Sequence, residues 1–277
     1  MAKSRRSLQT PGLSSRVYVP IILDIFHAKH TKGAKRVAFT LDDIRDSARR
    51  LKITVRNPAD VVYRMRARTR LPEEILRLGF HIMRQTGRGR YRLELAASTI
   101  IPVPEGPVTD AIDTTPLPVR RLLPEVLAEI DEQGLLSIVN YCQILDHFTG
   151  LKVYRLRSHV RKSVVGVGQA EVDEVDVGVA MGEDEIPVVF PIEAKAADEA
   201  VNRVQIASQV TFAKQYFPSH QIRPISIKVD YDSVVHFLEF NVTTEPSEVE
   251  VVRSARYRIG LSERQLTAIR SSTVRKL

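Results

Sequence analysis

The sequence predicts an α+β chain of two domains: a small basic one made of helices and a hairpin, then a mixed α/β one built on a central mixed sheet. Length, a proline-rich break and a change of charge across that break carry this expectation. The chain has 277 residues, and at roughly 150 residues per domain that makes two. Five prolines (Pro102, Pro104, Pro107, Pro116, Pro118) fall between Ser98 and Val119. Proline lacks the amide donor and stops a helix, so 98–119 reads as an extended linker. Residues 1–97 hold 22 Lys and Arg against 8 Asp and Glu, and residues 98–277 hold 19 against 25. The net charges, +14 and −6, describe a polyanion binder joined to a mildly acidic remainder, whose second domain is 120–277.

Composition excludes several classes. Apolar residues make up 43% and charged residues 27%, which is globular. The longest clean apolar stretch, Val17–Leu23, is far short of the ~20 residues of a membrane span. Lys3, Arg5 and Arg6 are followed by no apolar segment, so no secretory signal is expected. The single cysteine, Cys142, permits no internal disulfide and no cysteine-rich zinc site. A bacterial-type cytoplasm or a nucleus is the compartment that cysteine usage points to, and a prokaryotic cytoplasm is the one expected.

In the first domain, Val19, Ile22, Leu23 and Phe26 recur at helical spacing from about Arg16 to Lys29. Val37–Phe39 reads as a short strand. Thr40 then caps a helix with Asp42 and Asp43 in its first turn and Arg49 and Arg50 near its end, an order that suits the helix dipole. Asn57-Pro58 opens a third helix, with Val61, Val62 and Met65 inward and Arg64, Arg66 and Arg68 around the rest. A helical turn follows Pro72. Phe80–Gln85 and Arg90–Leu95 flank Thr86-Gly87-Arg88-Gly89, a hairpin signal.

Helix, strand, helix, helix, hairpin resembles a winged helix-turn-helix domain, which implies duplex-DNA binding. The third helix would enter the major groove with Arg64, Arg66 and Arg68, and the hairpin would bring Arg84, Arg88, Arg90 and Arg92 to phosphates.

The second domain begins with two amphipathic helices, Leu122–Ile130 and Leu135–Phe148. Strands follow at Lys152–Val160, Ala170–Val179 and Val188–Lys195, then a helix from about Asp198 to Phe217, then strands Pro224–Val229 and Val235–Phe240.

Two of these strands carry the chemistry. Glu171, Asp173, Glu174 and Asp176 lie on one, and Glu193-Ala194-Lys195 ends the next. Alternate strand residues share a face, so Glu193 and Lys195 point the same way, as do Glu171 and Asp173, and Glu174 and Asp176. Charges at the ends of apolar strands are costly unless paired. One or two carboxylates are what Mg²⁺ takes while keeping several waters, and a lysine beside them can act on the attacking water. Arg155, Arg157, His159 and Arg161 recur every second residue, a basic stripe suited to a phosphate backbone. Gln205, ten residues past Lys195, can reach a phosphate or a site water.

An acid on one strand followed by Glu-X-Lys on the next resembles the PD-(D/E)XK nuclease superfamily over about 120–240. The proline of the motif's name is absent. The resemblance implies Mg²⁺ or Mn²⁺ bound by Asp173 and Glu193, with Asp176 or Glu171 as the alternative acid, and Lys195 activating water. The domain order, together with His81-Ile82 entering the hairpin, is similar to the BisI-like modification-dependent enzymes. That narrower likeness implies cleavage of DNA bearing 5-methylcytosine, its methyl touched by Ile82 beside His81. The function expected is a metal-dependent, restriction-type endonuclease acting on double-stranded DNA as a homodimer. The alternatives are a DNA-binding regulator with a non-catalytic second domain, and a repair or junction nuclease.

Overall fold

The computed structural model describes residues 13–67, 71–112, 129–179 and 187–259, with backbone alone at 13–16, 66 and 67. Arg68 and most of the expected helix Leu122–Ile130 lie outside the described residues. The chain divides into two compact units, with the main boundary between Thr99 and Ile100. Among the described residues it is a mixed α+β protein with seven α-helices, and no helix is long and apolar enough to cross a membrane.

The first unit runs α1 (Leu13–Lys29), β1 (Arg36–Thr40), α2 (Leu41–Arg50), α3 (Pro58–Ala67), α4 (Glu73–Arg77), β2 (Phe80–Gly87) and β3 (Arg90–Leu95). The strands form an antiparallel sheet in the order β1-β3-β2. Its core joins Ile21, Ile22, Ile25 and Phe26 of α1 to Ile44, Val61, Val62, Met65, Ile75, Phe80 and Leu93. Thr40 caps α2 as expected. Its hydroxyl accepts from the Asp43 amide, and Asp43 accepts from the Thr40 amide at 2.7 Å, which closes a capping box. At the hairpin tip Gly89 has φ +66°. A side chain there would meet Leu41, with a Cβ only 3.1 Å from its Cδ1.

The second unit runs β4 (Ile100–Ile101), β5 (Asp110–Ile112), α5 (Glu132–Tyr141), α6 (Ile144–Thr149), β6 (Lys152–Val164), β7 (Gly168–Val179), β8 (Val188–Lys195), β9 (Val201–Asn202), α7 (Arg203–Tyr216), β10 (Gln221–Ile222), β11 (Ile225–Val229), β12 (Val234–Phe240) and β13 (Val251–Ile259). Its main sheet has eight strands, ordered β5-β13-β12-β11-β8-β7-β6, with β10 beside β8. β8 and β11 are parallel and α7 is the crossover between them, while β7 is antiparallel to β8. β8 and β12 are buried along their whole length.

Each face of this sheet has its own cover. Leu135, Ile138 and Val139 of α5 and Phe148 of α6 share a core with Phe190, Ile192, Phe237 and Tyr257. On the other face Ile206 and Ala207 of α7 pack with Leu238 and Phe240. Alternation along β8 therefore sends its even-numbered residues to α5 and α6 and its odd-numbered ones, Glu193 and Lys195 among them, to the α7 side.

Three expectations need correction. The proline-rich segment 98–119 is not a free linker throughout. Ile100–Ile101 pairs with β9, and Asp110–Ile112 pairs with β13. The expected helix 135–148 is two helices, because Gln143 takes a left-handed conformation, φ +52°, between them. The helix expected from Asp198 starts at Arg203, where the Asn202 side chain accepts from the Val204 amide at 2.8 Å and caps it.

Candidate active site

Glu174 on β7 lies opposite Ile192 on β8, and one further step of that antiparallel register brings Asp173 opposite Glu193. Opposite residues share a face. Asp173, Glu193 and Lys195 thus meet at the carboxyl end of β8, on the α7 side. The Asp173 Oδ2 accepts from the Ala194 amide at 2.9 Å, which locks the two strands' acids together. The Lys195 Nζ stands 2.6 Å from the Glu193 Oε1, and both side chains are more than nine-tenths buried.

Helix α7 completes the clamp. The Gln205 side-chain amide donates to the Glu193 Oε1, and the Gln209 amide donates to its Oε2. Gln205 was expected to reach a phosphate or a water, and instead it holds the carboxylate. Gln209 was missed by the sequence reading. Its signal is spacing, since residues four apart share a helix face and Gln209 follows Gln205 by four. Gln209 is wholly buried and its Oε1 has no hydrogen-bond partner.

The site carries more acid than base. Burial pushes Glu193 up to about 7, with Asp173 and Glu199 adding to the rise against the pull of Lys195. Burial likewise raises Asp173, against the Ala194 amide and Lys195. Burial alone would lower the Lys195 ammonium, but Glu193, Asp173 and Glu199 outweigh it and raise it. Glu199 is raised by burial and by a hydrogen bond with Glu132, at the start of α5. Lys228, the register partner of Lys195 on β11, donates to the carbonyls of Ala196 (2.8 Å), Ala197 (3.0 Å) and Glu199 (2.5 Å) and so fixes the loop leaving β8. Glu132, Glu199 and Lys228 sit far from the Glu-X-Lys element in sequence or just beyond it, and no spacing rule points to them.

The alternative acids lie elsewhere. Asp176 points to the opposite face of β7 with Glu174, where both are fully buried. Glu174 accepts from Arg155 and from the Asn140 amide at 3.1 Å, while Asp176 meets no donor and, when protonated, hydrogen-bonds only to Glu174. Burial, then the charge of Glu174, pushes Asp176 up to about 8. Glu171 does share the Asp173 face, but it is exposed and paired with Arg161 at 3.1 Å. The basic stripe is not one face either. Arg155 serves Glu174 on one side of the sheet and Arg161 serves Glu171 on the other. Arg157 and His159 are exposed.

In the first unit the expected DNA contacts divide. Arg88 and Arg90 are exposed at the hairpin tip, with no ion pair among the described residues. Arg84 is not available to a phosphate. It is 12% exposed and holds the buried Glu94 at 2.7 Å, alongside Arg92. Arg64 pairs with Asp60 at 2.8 Å on its own helix. The side chain of Arg66, like all of Arg68, lies outside the described residues. Ile82 has no exposed surface, so it cannot touch a methyl group in a groove; His81 is half-buried.

No family model, no curated protein and no solved structure matches this chain. Among the described residues no three His, Cys, Asp or Glu side chains converge to hold a metal ion. Among the described residues, any cation here would rest on Asp173 and Glu193 alone. Two carboxylates suit Mg²⁺ or Mn²⁺, which complete their shells with water, and do not suit a structural zinc. The surplus of buried acid over base is a deficit of positive charge, and a divalent cation fits it.

Proposed function

We propose that this chain is a Mg²⁺- or Mn²⁺-dependent endonuclease of the restriction type that hydrolyses phosphodiester bonds of double-stranded DNA. One observation carries the reading: Asp173, Glu193 and Lys195, apart in sequence, meet at the end of two neighbouring strands and are clamped there by Gln205 and Gln209. Asp173 and Glu193 would hold the cation, which when bound would supply a polarised water and a positive charge for the phosphoryl oxygens. The chain's own groups do the rest. Gln205 and Gln209 each take one oxygen of Glu193 and fix its carboxylate. Lys195 sets an N–H donor beside the Glu193 Oε1, where it orients the attacking water and meets charge developing on the phosphate. The first unit, with its net charge of +14 over residues 1–97 and its exposed Arg88 and Arg90, would hold the duplex through its phosphates. One such site per chain would cut one strand, so a homodimer is proposed for a double-strand break.

The test is direct. Purified full-length chain is incubated with supercoiled plasmid in Mg²⁺, in Mn²⁺ and in chelator. Linear product in either metal and none in chelator supports the reading. Intact plasmid in all three, from protein that binds the duplex, refutes it.

A further inference from the structure

Strand β6 changes face partway along its length. Alternation predicts that Arg155 and Arg161, six residues apart, point to the same side. Yet their partners Glu174 and Glu171 stand on opposite sides of β7. Between them His159 has φ +49°, and it is the one residue of β6 in the left-handed region. That conformation is strained for an L-residue and re-aims the strand from His159 itself onward, as a bulge does. Such strain concentrates where a chain needs a side chain somewhere regular geometry would not put it.

The new direction can be worked out. β6 and β7 are sheet neighbours joined by the turn at 165–167, so they run antiparallel. Arg161 stands against Glu171. Two residues back along β6 is two residues on along β7, which sets His159 beside Asp173, the acid facing Glu193. After the Ala194 amide and Lys195, His159 is the third group that favours the ionised Asp173 carboxylate. It is also exposed, so it fills no core position.

We infer that the kink at His159 turns its imidazole over the Asp173–Glu193 edge, where it donates a hydrogen bond to a phosphate oxygen of the strand being cut. His159 is then a substrate-contacting residue of the site and no part of a stripe. The inference rests on the nuclease reading.

The experiment compares cleavage of one linear duplex in Mg²⁺ by the wild type and by His159→Gly, with and without free imidazole, and records both melting temperatures. Glycine accepts φ +49° without strain, so a residue serving only the kink would lose nothing by this change. The contact predicts cleavage slowed about tenfold, the loss of one hydrogen bond to a charged group. It also predicts an unchanged melting temperature and partial recovery on adding imidazole. Wild-type rates in His159→Gly, or a slow variant that imidazole does not restore, overturn the inference alone. A wild type that cuts nothing overturns the nuclease reading and this inference with it.

Discussion

Asp173 and Asp176 are three residues apart on one strand, and the fold gives them unrelated environments. Asp173 touches the β8 backbone beside Glu193, while Asp176 lies under α5 and α6 with no donor to its oxygens and the acid Glu174 beside it. Asp173→Ala is expected to abolish cleavage and Asp176→Asn to spare it; equal effects in a plasmid assay would contradict the assignment. Asp176→Asn should instead change stability. In the unfolded chain its carboxyl ionises in the ordinary range, and in the fold only near pH 8. Between those values the folded state keeps a proton that the unfolded chain has released, so stability falls as pH rises through the window. Wild type and Asp176→Asn should melt together near about pH 3, below both values, and the variant should melt higher near about pH 9, as a pair of thermal scans would show. Lys195→Ala should remove cleavage while duplex affinity in Ca²⁺ holds within about tenfold, ~1.4 kcal/mol. Glu-X-Lys was legible because it ends an apolar strand. The choice between the two aspartates was not, because it depends on a register that sequence alone leaves open.

At the scale of the element, caps and hairpins were easier to read than edges. Thr40, Asn57-Pro58 and the Gly87–Gly89 turn each carry local backbone chemistry, and all three fell where they were expected. β13 was missed. Its sequence, Val251–Ile259, carries Arg253, Arg256 and Arg258 among its apolar residues, and its pairing partner β12 lies beyond a ten-residue connection, 241–250. The β6 stripe was misread for a related reason, since one left-handed residue exchanges the faces. The hairpin offers a contrast to test. Arg88→Ala should weaken binding to every duplex alike and flatten the salt dependence by about one unit. Arg84→Ala should leave the salt dependence alone and destabilise the fold by about 1–3 kcal/mol, because the buried Glu94 loses one of its two arginines. Salt titrations and urea melts of the two variants separate these outcomes.

For the whole molecule, the division into a basic and an acidic part was legible from charge alone, because charge needs no register to be read. The modification-dependent expectation loses the one side chain assigned to the methyl group. Ile82, the side chain meant to meet the methyl group, is sealed from solvent. Plasmids with and without cytosine methylation should therefore be cut alike across a salt series, and preferential cutting of the methylated one would show that another side chain reads it. The linker was legible only as proline content. What composition could not reveal is that its two short strands, β4 and β5, reach β9 just ahead of α7 and the outermost long strand β13. Anyone trimming the chain to isolate the second unit inherits that constraint. A fragment begun at residue 120 discards both strands and bares the backbone of Tyr257–Ile259, an open template for another chain to add onto. A fragment begun at or before Ile100 keeps that edge closed. The shorter piece should precipitate and the longer one stay dispersed, although the two carry the same acids and lysine.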